Sequence, residues 1–277
     1  MIEIDDVNSK SAIPFLRWTG SKKWFVKKGI EKFIPKKFLG YHEPFLGCGA
    51  IFFHLNPNGN VYLNDLNDEL INAFVEIQKG PQAVISSLKK FKNSEEDYYR
   101  IRSMKCRTDH TKAARFIYLN RTAFNGIYRV NPKGGFNVPY GRRKNVDLIT
   151  ESNLIKVHHK LQGVELSSND FYSQLKNVRK DDLVYLDPPY TVAHENNGFI
   201  AYNSKLFSLE DQERLVEMVR KINEIGAYYI LSNAEHPTIR SYYRGVGEIY
   251  SVERPSIVGG RTKTRRNYKE LIITNVS

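Results

Sequence analysis

Short apolar runs that end in an acid recur along the chain, and helical periodicity fills much of what lies between them. Asn60 to Asp65 reads N-V-Y-L-N-D, Val164 to Asp170 reads V-E-L-S-S-N-D, and Leu183 to Asp187 reads L-V-Y-L-D. Gly40 to Phe45 leads into G-C-G-A and the apolar run I-F-F-H-L. Runs of this length, bounded by turn residues, predict buried strands. From Ser208 to Asn223 the spacing changes, and Leu215, Val216, Val219 and Ile222 fall on one helical face. Ser208 with Asp211 three residues later predicts a capped start for that helix, and Gly226 predicts its end. The strands A-Y-Y-I-L-S-N and K-E-L-I-I-T-N follow. Strands alternating with helices predict an α/β sandwich around a mostly parallel sheet.

The middle of the chain departs from that plan. From Glu69 to about Asn125 the periodicity is helical, with Leu70, Ile71, Phe74 and Ile77 on one face and Val84, Ile85, Leu88 and Phe91 on another. Breaks are expected at Gly80-Pro81 and around Asn93-Ser94. Beyond Asn125-Gly126 the segment I-Y-R-V-N, the turn P-K-G-G and the return F-N-V-P-Y-G predict a β-hairpin with Gly134-Gly135 at its tip. The expected organisation is a discontinuous domain of residues 1–67 and 150–277, interrupted by a helical and hairpin insertion over 68–149.

Composition changes the picture in one respect. The 277 residues carry a formal net charge of +12, and the excess is unevenly spread. Between His110 and Val146 there are eight Lys or Arg residues and no Asp or Glu. Arg254 to Lys269, with R-T-K-T-R-R, and Lys10 to Ile30, with R-W-T-G-S-K-K, are also free of acids. Surface lysines alone would intersperse their signs, so one-sign segments favour a nucleic-acid partner. No apolar run approaches the roughly 18–20 residues of a membrane span, and the start lacks a secretory pattern. The expectation is a cytoplasmic protein, with no membrane and no obligate protein partner. Cys48 and Cys106 form neither a metal-type spacing nor a disulfide framework, and no metal is expected.

In open α/β sheets ligands sit beyond the carboxyl ends of the strands. At one such end F-L-G-C-G, Phe45 to Gly49, suits either a tight turn or a loop that brings backbone close to a cofactor. Asp65 at another suits either ribose hydroxyls or a helix cap. Asn169-Asp170-Phe171 offers a carboxylate and a ring, though such pairs are frequent in turns. Asp187-Pro188-Pro189-Tyr190 is far more specific. Its prolines stop strand pairing and expose a carbonyl of Asp187 or Pro188. A carboxylate beside a carbonyl can grip both hydrogens of an NH₂ group, and Tyr190 adds a flat face for a base.

F-L-G-C-G, a long insertion and then D-P-P-Y together resemble the α-group of amino-methyltransferases that methylate adenine N6 in DNA. Within that group the chain is similar to the Dam family and related restriction-system enzymes. R-W-T-G-S-K, F-N-G-I-Y-R and F-N-V-P-Y-G-R carry the likeness from the N-terminus into the insertion, with Ser21 where a second glycine is usual. The resemblance implies a Rossmann-like S-adenosylmethionine-dependent methyltransferase domain whose residues 68–149 recognise the DNA target. It implies cofactor contacts by Trp18, Lys22, Phe45, Gly47, Gly49, Asp65, Asp170, Phe171 and Asp187. It makes Asp187, Pro188, Pro189 and Tyr190 the catalytic turn, with Tyr190 stacked on an extruded adenine. It gives Arg129 a guanine to read and places Arg17, Phe124, Asn125, Ile127 and Pro139 against double-stranded DNA, in a GATC-like site.

Close alternatives are cytosine-N4 methylation and RNA adenine methylation, since each offers a similar exocyclic amine. A catalytically inactive DNA-binding regulator is the alternative from another class, and the intact D-P-P-Y weighs against it. Arg142, Arg143 and Lys144 are expected to serve general phosphate attraction. His158 and His159 are expected to be surface groups, His194 follows the motif without metal-type partners nearby, and Cys48 is expected to be a small loop residue.

Overall fold

The computed structural model describes residues 11–191, 207–255 and 267–276. Lys10, His194 and the run R-T-K-T-R-R lie outside the described residues. A seven-stranded sheet runs in the order β3-β2-β1-β4-β5-β7-β6. Its strands are β1 (Tyr41–Glu43), β2 (Val61–Asn64), β3 (Glu165–Ser167), β4 (Leu183–Leu186), β5 (Tyr228–Ala234), β6 (Glu248–Pro255) and β7 (Asn267–Thr274). β1 to β5 run parallel to one another, and β7 lies antiparallel between β5 and β6. The fold is therefore the mixed α/β class expected.

β4 is central, and all four of its residues are buried. Its apolar run has no polar alternation because both faces are covered. Leu183 and Tyr185 join one apolar cluster, and Val184 and Leu186 join the other. On the second face lie α8 (Leu209–Ile225), held by the Ser208–Asp211 capping box and ended by Gly226 at φ +80°, and α9 (Pro237–Tyr242). The first face is covered by α1 (Lys23–Lys28), α2 (Ala50–Leu55) and α7 (Glu151–Lys160).

Residues 68–149 contribute α3 (Asp68–Lys79), α4 (Pro81–Leu88), α5 (Glu95–Arg102) and α6 (Asp109–Thr122), and no strand of the sheet. Helices α3 and α4 pack against both α6 and α7, so one apolar core continues across residue 150. The rings of Phe15 and Phe74 meet at 4.8 Å across the other end of this stretch.

Three sequence expectations need correction. The strand expected over Val164 to Asp170 is confined to Glu165–Ser167, because Asn169 is drawn off by Asn64: its N–H donates to Asn64 Oδ1 at 3.0 Å and its carbonyl accepts from Nδ2 at 2.9 Å. The hairpin is reduced to two antiparallel bridges, Ala123 with Tyr140 and Val130 with Phe136. Pro132 and Pro139 have no N–H to donate, and Asn125 and Gly126 adopt positive φ, so a regular ladder cannot form. Its tip closes at Asn131, whose carbonyl accepts from Gly134 N at 2.9 Å. Arg143 is spent on structure, donating to the Arg121 and Ala123 carbonyls at the end of α6, whereas Arg142 keeps an exposed side chain beside Glu95. Strand β6 is missing from the expected elements.

The N-terminal segment is tied to α6 by one buried amide. Asn120 Oδ1 accepts from Arg17 N at 2.8 Å, and its Nδ2 donates to Arg17 O at 2.6 Å. Asn120→Ala leaves both backbone groups without that partner and is expected to cost about 1–3 kcal/mol, read as a lower urea midpoint at unchanged slope.

Candidate active site

The chain leaves β1 towards β2 and β3, and leaves β4 towards β5. These neighbours thus form a topological switch point, with a crevice beyond their carboxyl ends. On the β1 side, Gly47 and Gly49 take φ of +50° and +66°. A Cβ on Gly47 would stand 2.7 Å from Trp18 Cδ1, so the glycine lets the indole close over the loop. Asp65, just past β2, accepts from Gly47 N at 2.9 Å through Oδ2 and from Asn67 N at 3.0 Å through Oδ1. Burial raises its carboxyl pKa, and these two N–H groups oppose the rise. The cap of α3 is Asn67, not Asp65. Behind the loop, Asn64 also donates to Pro44 O at 3.1 Å, binding the ends of β1, β2 and β3 together.

On the β4 side, Asp187 Oδ1 accepts from Lys22 Nζ at 2.6 Å and from Ser232 Oγ at 2.8 Å. Burial raises the Asp187 carboxyl pKa from its ordinary value, against the pull of Lys22. Burial also acts to lower Lys22, but Asp187 and Glu270 outweigh it, and the ammonium is held above its ordinary value. The Lys22 Nζ is 3.8 Å from Glu270 Oε2 and 5.3 Å from the centre of the Tyr190 ring. Tyr190 OH donates to Glu270 Oε2 at 2.7 Å, and burial raises its pKa well above normal. Beneath the turn, Gln212 Nε2 donates to Thr191 Oγ1 at 3.0 Å and Asn233 Nδ2 to Gln212 Oε1 at 3.2 Å. Pro188 is buried by this support and Pro189 is exposed.

The ring of Phe45 stacks on that of Phe171 at 5.2 Å, and both meet Phe207. The Arg214 guanidinium lies 4.9 Å from the centre of the Phe171 ring and reaches Asp170 Oδ1 at 2.6 Å. Asp170 Oδ1 also accepts from Tyr172 N at 3.0 Å. The Ser21 hydroxyl accepts from the Cys48 thiol at 3.3 Å, and burial raises the pKa of Cys48.

Contacts tie several of the residues expected to face DNA to one another. Gly126 packs so closely on Arg17 that a Cβ would meet its side chain at 2.9 Å. Phe124 is half exposed, Asn125 takes φ +54° beside it, and Phe124 N donates to Pro139 O at 2.9 Å. Ile127 is partly buried against the core. Arg129 is exposed, with Nε on Asn137 Oδ1 at 2.8 Å.

Several functional candidates escape the sequence reading. Glu270 and Ser232 sit on strands β7 and β5, where alternation assigns only burial. Glu43 is wholly buried at the end of β1, its Oε2 accepting from Tyr41 OH at 2.8 Å and Phe52 N at 3.2 Å. Burial pushes its pKa up to about 8. The signal was the acid of E-P-F-L-G-C-G, an ionisable residue inside an otherwise apolar strand.

Residues 18–256 match the family model of D12 class N6 adenine-specific DNA methyltransferases. The chain belongs to this family. It is 35% identical over 272 residues to the type II methyltransferase M1.LlaDCHI of Lactococcus lactis subsp. cremoris, covering 95% of each chain. It is 35% identical to the type II methyltransferase M.MjaIII of Methanocaldococcus jannaschii, over 80% of this chain and 84% of that one. The DNA adenine methylase of Haemophilus influenzae is 32% identical, with 94% and 92% covered. The protein is thus an adenine-specific DNA methyltransferase by family. Among the described residues no helix is long and apolar enough to cross a membrane, and no cluster of His, Cys, Asp and Glu could hold a metal ion.

Glu43 gives the methyltransferase a pH signature. Its carboxyl binds a proton up to about pH 8 when folded, against 4.5 as its ordinary value. Its contribution to stability is complete below pH 4.5 and is lost as the pH rises through 8. Glu43→Gln should abolish that loss, so melting temperatures measured from pH 6 to 9 should fall less steeply than in the parent protein.

Proposed function

We propose that the protein takes the methyl group of S-adenosylmethionine and delivers it to N6 of an adenine extruded from duplex DNA, within a GATC-like site. One observation carries the reading. Asp187, at the carboxyl end of β4, already holds an N–H cation at 2.6 Å, beside the glycine loop at the end of β1. A carboxylate placed to grip Lys22 is equally placed to grip an amine.

The groups around the crevice fit the cofactor's chemistry. Gly47 and Gly49 open the backbone, Asp65 keeps lone pairs for hydroxyls beyond its two N–H partners, and Trp18 closes over Gly47. Lys22, Phe45, Asp170 and Phe171 complete the proposed cofactor side. The bound sulfonium would supply an already activated methyl group.

The chain's own residues would then work on the amine. The N6 lone pair is delocalised into the ring and attacks poorly. Donation from N6–H to Asp187 and to a carbonyl of the Asp187-Pro188 segment favours a more pyramidal nitrogen. Pro188 and Pro189 keep that backbone rigid, so positioning and electrostatics supply most of the acceleration. Extrusion of the base costs a few kcal/mol, and stacking on Tyr190, typically about 1–3 kcal/mol, offsets much of it. Arg129, on the exposed side of the Val130–Phe136 bridge, would read a guanine, with Arg17, Phe124, Asn125, Ile127 and Pro139 beside it on the DNA.

Labelled S-adenosylmethionine with unmethylated duplex DNA, followed by mapping of modified bases, tests the reading directly; N4-methylcytosine, or label only in RNA, would overturn it. Asp187→Ala should abolish transfer while leaving most DNA affinity, because phosphate contacts dominate binding. Near-normal turnover in that variant would sink the mechanism. Arg129→Ala should relax selectivity at one base pair by about 1–3 kcal/mol, measured with substituted duplexes, whereas an equal loss on every sequence would make it a phosphate contact.

A further inference from the structure

Glu270 lies on β7, wholly buried, between β5 and β6. A carboxylate withdrawn from water is costly unless it is paired, so its partners identify what it is for. They converge on the catalytic edge. Oε2 accepts from Tyr190 OH at 2.7 Å and stands 3.8 Å from Lys22 Nζ, while Oε1 meets Arg254 Nε at 2.8 Å. Lys22 is in turn the 2.6 Å partner of Asp187. Charges therefore alternate along Asp187, Lys22, Glu270 and Arg254.

This arrangement has two consequences for the reaction. A base-stacking ring is useful only if its plane is held, and Tyr190 is anchored by its far end to Glu270. The ammonium of Lys22 also occupies Asp187 Oδ1, one of the two oxygens an incoming amine could engage. A second carboxylate stands 3.8 Å from it, near enough to take up the ammonium as an amine approaches Asp187.

We propose that Glu270 is a positioning residue of methyl transfer, fixing the Tyr190 ring through its hydroxyl and taking up Lys22 when the target amine engages Asp187. This rests on the reading of Asp187 and Tyr190 as the amine-gripping pair. Glu270 touches neither the base nor the methyl donor and acts through Tyr190 and Lys22. Its effect should therefore fall on the transfer step and not on DNA binding.

The test is a double-mutant cycle on the full chain with unmethylated duplex and S-adenosylmethionine, following single-turnover rate and DNA affinity together. Glu270→Gln should slow transfer by about 10–100-fold, the scale of a misplaced reacting group. DNA affinity should stay within about threefold, since phosphate contacts dominate it. Tyr190→Phe, which leaves every charge in place, should also slow transfer at retained DNA affinity. The double variant should be no slower than Glu270→Gln, because the Tyr190 hydroxyl and the Glu270 carboxylate act through one charge-assisted contact that either change weakens or removes. A wild-type rate in either single variant, or a double variant slowed by the product of the two factors, overturns the inference. If Glu270→Gln fails to fold, the rate of Tyr190→Phe decides alone. Asp187→Ala in the same assay keeps the two readings apart. Turnover retained there removes the amine grip itself, whereas its loss beside a wild-type rate in Glu270→Gln overturns only the role of Glu270.

Discussion

A buried ammonium and its carboxylate partner at the carboxyl edge of the sheet set the terms for the rest of the structure. Lys22 and Asp187 meet at 2.6 Å, with the lysine side chain 3% and the aspartate side chain 20% exposed. Taking away the carboxylate strips the buried ammonium of its nearest counter-charge, a change that typically costs about 3–5 kcal/mol. The two residues are 165 positions apart, and Glu270 joins them from the last strand. Their meeting requires β4 beside β1 and β7 beside β5, which is the observed order. The sheet is thus the means by which three remote segments bring opposite charges into one small volume.

A second constraint runs through Trp18. Its indole covers Gly47 in the β1 loop on one side and stacks at 5.7 Å on Tyr128 from the segment after α6 on the other. Phe116 of α6 lies 6.4 Å away. Just before it, Arg17 is held by Asn120 of α6 and pressed against Gly126. One short N-terminal segment therefore joins the glycine loop to the basic region, and Lys22 at its end reaches Asp187.

Much of this was legible in the chain itself. The uninterrupted apolar run of Leu183 to Leu186 announced a central strand, since a strand covered on both faces has no polar alternation. The Ser208–Asp211 box and Gly226 gave the bounds of α8 because caps are local chemistry. The Asp-Pro-Pro-Tyr tetrapeptide declared a rigid turn with a carboxylate and a ring, for the same local reason. Where local signals conflicted, long-range contacts decided. Asn64 drew Asn169 out of the strand expected for it, and two prolines and two positive-φ residues loosened the expected hairpin.

The amino-acid sequence by itself determined the strand and helix periods, the caps, the glycine loop and the chemistry of Asp187 to Tyr190, all of which act over a few residues. Only the tertiary structure decided what those groups face. Arg143 looked like a free cation until the end of α6 claimed it, and Glu270 looked like a mere polar interruption in an apolar strand until Tyr190, Lys22 and Arg254 closed around it. Partnership between charges depends on separations of a few ångströms across the fold, and no spacing along the chain encodes them.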